Sequence, residues 1–138
     1  MTRVLQAVNA GLNRARVEHD STDDVVAKRV PKFQYGIIVS ALRKFEHSFS
    51  HYYRQLFQVH PHSRARDIYA FASLEAVKGA VQIRDRLGLP IVGFDLAGEE
   101  AGFPAEHHLE AFDYAHRHFL KKTVHAGEIG RASCRERV

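Results

Sequence analysis

Two short stretches concentrate the side chains able to do chemistry. One is Ile91-Val92-Gly93-Phe94-Asp95-Leu96-Ala97-Gly98-Glu99-Glu100, and the other is Thr123-Val124-His125-Ala126-Gly127-Glu128. Each is an apolar run that stops abruptly in small, acidic or His residues. A buried parallel strand looks this way when its end opens into a site, because ligands of parallel α/β sheets bind beyond the carboxyl ends of the strands. A neutral His at a strand end is a natural zinc ligand, and a nearby carboxyl group can exchange a proton with a bound substrate. Small residues beside them let a ligand approach the backbone closely. Taken singly, each signal is weak. A lone His125 at a strand terminus is more often structural, Gly98 alone is a turn residue, and Asp95 alone is a cap or a partner for backbone N–H groups. Glu99 and Glu100 read as a solvated acidic loop. The joint pattern is what carries weight.

The elements that must position these residues follow from periodicity. Val4, Leu5, Val8, Leu12 and Ala15 recur at helical spacing, which predicts a helix from about Arg3 to Glu18 with Thr2 as its cap. A polar turn follows at 19–24. The run Tyr35-Gly36-Ile37-Ile38-Val39-Ser40-Ala41-Leu42 predicts a strand buried on both faces. A second helix is expected over Glu46 to Gln58, ended by Pro61. A third is expected with Ser63 as its cap and Ile68, Phe71, Leu74, Val77 and Val81 as its buried stripe. Gly88 and Pro90 stop that helix. Ile91-Val92-Gly93-Phe94 begins a second buried strand. Pro104, favoured in a first helical turn, introduces a helix carrying Leu109, Phe112, Tyr114, Ala115 and Phe119. Lys122-Thr123-Val124-His125 is a short third strand. Strands alternating with helices predict an α/β fold with a parallel sheet and right-handed crossovers.

Composition bounds the rest. The chain has 138 residues, with 45% hydrophobic and 26% charged, ordinary for one soluble globular domain. No apolar run approaches the ~20 residues of a membrane span. The start Met1-Thr2-Arg3-Val4-Leu5-Gln6 lacks the apolar core of a signal peptide, so a cytoplasmic location and no membrane partner are expected. The formal charge of +4 invites a nucleic-acid reading. Two of those charges lie in residues 129–138, where three Arg outweigh one Glu. That segment has no apolar period and reads as a non-native tail from sequencing-adapter read-through, so residues 1–128 are taken as the domain. It also holds the only cysteine, Cys134, which therefore indicates nothing about redox chemistry. The other basic residues are scattered among acidic ones, and no nucleic-acid partner is expected.

The combination Gly93-Phe94-Asp95-Leu96-Ala97-Gly98-Glu99-Glu100, then Gly102-Phe103-Pro104, a helix, and Thr123-Val124-His125-Ala126-Gly127-Glu128 closely resembles the adenosine deaminase family of metal-dependent hydrolases. The resemblance runs from about Tyr35 to Glu128 and is dense from Leu89 onward. It implies a zinc ion at the mouth of a (β/α)8 barrel, an activated water attacking the amine-bearing carbon of a purine, and loss of ammonia. His125 matches the zinc-binding His, and Glu128 matches the glutamate that protonates the purine ring nitrogen. Gly98 matches the glycine whose backbone N–H holds the purine. Asp95 lies in the same motif and is carried over as a support for the ligand or as a structural residue.

A complete barrel takes about 250 residues, so a partial barrel of about three parallel strands with flanking helices is expected. The family also needs a His-x-His pair on its first strand, a second catalytic His and an Asp ligand. His60-Pro61-His62 and His116-Arg117-His118 have the spacing but sit in a turn and on a helix, where they read as surface. With one zinc ligand of four, the chain is expected to be an inactive fragment of an adenosine-to-inosine deaminase, whose partner is a small purine nucleoside. Adenine or another adenosine derivative is an alternative substrate. A non-catalytic half barrel that binds a purine or another chain is the alternative function.

Overall fold

A computed structural model describes residues 1–127; Glu128 and the tail read at 129–138 lie outside the described residues. In chain order the elements are α1 (Thr2–Asp20), α2 (Asp23–Val26), β1 (Ile37–Leu42), α3 (His51–Val59) and α4 (Ala65–Leu87). They continue with β2 (Ile91–Ala97), a 3-10 turn (Ala105–His108), α5 (Leu109–Arg117) and β3 (Lys121–Lys122). The strands form one sheet in the order β1-β2-β3, with both pairings parallel. This is the expected α/β alternation. No helix among the described residues is long and apolar enough to cross a membrane.

Several boundaries differ from the expectation for local reasons. Thr2 lies inside α1, and Met1 occupies the cap position. α3 starts at His51 rather than near Glu46, because the Ser50 side chain accepts the Tyr53 N–H and sets the first turn there. α4 begins after Arg64, and Ser63 precedes its cap. Its end follows the prediction: Gly88 takes the left-handed conformation at φ 63°, and its N–H donates to the Arg84 carbonyl at 2.9 Å. Phe71 and Phe119, assigned to apolar faces, are exposed. Phe119 falls beyond α5, in a turn with φ 60°.

The principal correction concerns β1. Its residues alternate, with Ile37 and Ala41 buried, Val39 half-buried, and Ile38 and Ser40 exposed, so the strand is covered on one face rather than two. Ile38 is 52% exposed. The covered face packs on α4 and α5, where Phe94, Leu96, Val77, Ala80, Phe112 and Ala115 are all essentially inaccessible. Phe94 and Phe112 meet edge to face at 5.4 Å. A satellite cluster of Phe45, Leu56, Ile68, Tyr69 and Ala72 seats α3 beside the end of β1, with Phe45 stacked on Tyr53 at 3.8 Å.

Candidate functional site

The open face of the sheet, towards the carboxyl ends of the strands, carries the polar side chains. Parallel register sets Ser40 opposite Asp95 and Ile38 opposite Gly93, so alternate residues of β1 and β2 share this face. The third strand continues past Lys122 as a hydrogen-bonded ladder: Thr123 N–H donates to Phe94 O at 3.0 Å and His125 N–H to Leu96 O at 2.9 Å. That two-residue step puts Thr123 and His125 on the face of Asp95. Gly93 leaves room beneath them, since a Cβ there would lie 3.2 Å from both Ile38 Cγ1 and Lys121 O.

Asp95 is the centre of the site. Its Oδ1 accepts from Thr123 Oγ1 at 2.8 Å, and its Oδ2 accepts from Ser40 Oγ at 2.8 Å. The same Oδ2 lies 2.9 Å from His125 Nδ1. The three partners cover it, leaving Asp95 4% exposed. Burial pushes its carboxyl towards a higher pKa. The hydrogen bonds from Thr123 and Ser40, with the His125 charge and hydrogen bond, outweigh burial and hold it below the usual carboxylate value. An ionised Asp95 only accepts, so His125 Nδ1 carries a hydrogen, and in the neutral ring the lone pair then lies on Nε2. Asp95 was expected to serve as a cap or backbone partner, or to support the ligand. Its partners are three side chains, one of them the ligand candidate.

Ile38, Ser40, Asp95, Thr123, Val124 and His125 line an open pocket of about 460 Å³. Arg43, which directly follows β1, is fully buried. Its guanidinium donates to the carbonyls of Phe103 and His125, each at 2.8 Å. One cation thereby ties the β2–α5 loop to the end of the third strand. Gly98 follows β2 at φ 101°, a conformation that favours glycine, and a Cβ there would meet nothing nearer than Arg43 N at 3.7 Å. Of the acidic loop, Glu99 is exposed as expected and Glu100 is not. Glu99 pairs with Lys44 at 2.7 Å, and half-buried Glu100 accepts the Gly127 N–H at 3.0 Å.

His125 suits a metal: half of its side chain is exposed, one ring nitrogen is oriented by a carboxylate and the other has no partner among the described residues. Zinc sites take three or four protein ligands. Among the described residues no group of three or more His, Cys, Asp or Glu could hold a metal ion, so His125 fits as one ligand of a larger set. His60, His62 and His116 are exposed, and His118, expected at the surface, is half-buried and stacked on Tyr114 at 4.2 Å. Glu128 lies outside the described residues. Ser40, Thr123 and Arg43 were not singled out from sequence. Ser40 had a signal, as the one hydroxyl inside an apolar strand, and so did Thr123, two residues before His125 and therefore on its face.

A second buried polar pair supports the region from the helix side. His108, 2% exposed, meets Ser73 Oγ through Nδ1 at 2.8 Å. Burial, assisted by the charges of His107 and Arg43, lowers its pKa to about 4, against a backbone hydrogen bond to Arg43 that raises it.

The family model for adenosine deaminase matches residues 33–136. The adenosine deaminase of Mycobacterium avium is 48% identical over 60 residues, which are 44% of this chain and 16% of that protein. Those of Mycobacterium bovis and Mycobacterium tuberculosis are 45% identical over 60 residues, with the same coverage. The aligned segment is therefore under a fifth of each relative's length. No solved structure matches.

Proposed function

This chain belongs to the adenosine deaminase family, and from that premise we propose that it carries part of the active site of a zinc-dependent hydrolase that deaminates adenosine to inosine. The single observation that carries the reading is the Asp95–His125 pair at 2.9 Å on the open carboxyl rim of a parallel sheet. Zinc, when bound, would supply a hydroxide nucleophile at neutral pH. His125 would hold it through Nε2, with Asp95 fixing the ring. Glu128 would place a proton on the purine ring nitrogen beside the attacked carbon. Gly98 would let the purine edge reach the backbone, a role supported by its positive φ.

The 138-residue chain by itself should release no ammonia from adenosine even with added zinc, because its described residues offer one ligand where zinc sites take three or four. The longer protein that carries this segment should release ammonia from adenosine faster than from adenine. In that protein Glu128→Gln should lower kcat by about 10²–10⁴-fold, the usual contribution of a positioned proton donor. Zinc-dependent turnover by the isolated chain, or none by the longer protein, would overturn the respective halves of this reading.

A further inference from the structure

We propose that Ser40 and Thr123 are positioning residues: acting through Asp95, they hold His125 as the tautomer with its hydrogen on Nδ1 and so present Nε2 as the ligating nitrogen. The inference rests on reading His125 as a ligand, but concerns how the chain prepares that ring before any metal arrives. A carboxylate with one partner is free to rotate about its Cβ–Cγ bond. Asp95 is held at both oxygens, Oδ1 by Thr123 Oγ1 and Oδ2 by Ser40 Oγ, each at 2.8 Å. The two donors stand on the strands that flank Asp95, so rotation of the carboxylate would break at least one of them. The fixed Oδ2 then faces His125 Nδ1 at 2.9 Å. An imidazole in water exchanges its proton between both nitrogens, whereas this one, among the described residues, has an acceptor at Nδ1 only. Ser40 and Thr123 are themselves exposed and take no part in the hydrophobic core. Both hydroxyls bond the one carboxylate, and the Ser40 hydroxyl lies nearer to it, at 2.8 Å, than to the Ala41 carbonyl at 3.3 Å.

The test is nitrogen NMR of the metal-free chain with 15N-labelled histidine, at a pH where the ring is neutral. Subtracting the spectrum of His125→Gln assigns the ring among the ten histidines. The unaltered chain should show two well-separated shifts, Nδ1 of the protonated type and Nε2 of the unprotonated type. Ser40→Ala combined with Thr123→Val should collapse that separation towards the averaged values of an exchanging ring. Ser40→Thr with Thr123→Ser, which keep both hydroxyls, should restore it. A backbone amide spectrum that stays native checks that the fold is intact, and the single variants should give partial collapse if the double variant unfolds. Separated shifts in a folded Ser40→Ala/Thr123→Val chain would overturn the proposal, and so would a hydrogen on Nε2 in the unaltered chain. Failure of the deaminase reading would appear elsewhere, in ammonia release by the longer protein.

Discussion

The two faces of one small sheet are built on opposite principles. On the covered face Phe94, Leu96, Val77 and Phe112 exclude water completely and carry no polar function. On the open face the same strands present Ser40, Asp95, Thr123 and His125, held by directional hydrogen bonds and flanked by an Ile38 that is half in water. β2 contributes to both, because Phe94 and Asp95 are neighbours in sequence and point to opposite sides. Stability should therefore reside on one face and chemical capability on the other, and the two should be separable by mutation.

The hardest test of that separation is Phe94→Ala. Truncating a fully buried aromatic should cost about 3–5 kcal/mol, read as a shift in the urea midpoint, while a polar substitution at Ile38 on the same sheet should not. Acid offers the next test. The unfolded His108 ring takes a proton near 6.5 and the buried ring only near 4, so the unfolded chain binds more protons between those values. Stability from this residue should be complete above pH 6.5 and fall by about 3 kcal/mol on acidification to 4. His108→Gln should flatten that slope in urea titrations at stepped pH. The contribution of Asp95, whose carboxyl is depressed, should be lost only further down, as pH falls through its lowered value. Arg43→Met would break the boundary between the faces, since Arg43 is buried with the core yet donates to the His125 carbonyl. A loss of about 1.5–3 kcal/mol is expected for its charged hydrogen bonds, together with faster amide exchange at 123–127. Ile38→Thr should change stability by no more than about 0.5 kcal/mol, and a larger loss would mean that the open face contributes to the fold.

Much of the covered face was legible in sequence. The apolar runs read from Tyr35 to Leu42 and from Ile91 onward hold β1 and β2, and the stop at Gly88 and the stripe through Ile68, Leu74, Val77 and Val81 belong to α4 as expected. Periodicity reports which residues are apolar, however, and not whether anything covers them. Ile38 and Phe71 look like their buried neighbours and are exposed. The start of α3 was misplaced because apolar spacing extends back past Ser50, whose cap geometry is a single hydrogen bond. At the site, His125, Gly98 and Asp95 were named from a motif. That Ser40 and Thr123 meet on Asp95 could not be read there, because those pairings follow from the register of strands far apart in the chain.

That separation bears on how the molecule assembles. Ser40 and Asp95 are 55 positions apart, Thr123 and Asp95 are 28, and Arg43 reaches a carbonyl 82 positions away. Helices α1 and α4 need only neighbouring residues to form, whereas every bond that aims the imidazole requires distant segments to meet first. Pairings of this kind close slowly against chain entropy. The side-chain resonance of that one ring, and not far-ultraviolet ellipticity, reports completed folding.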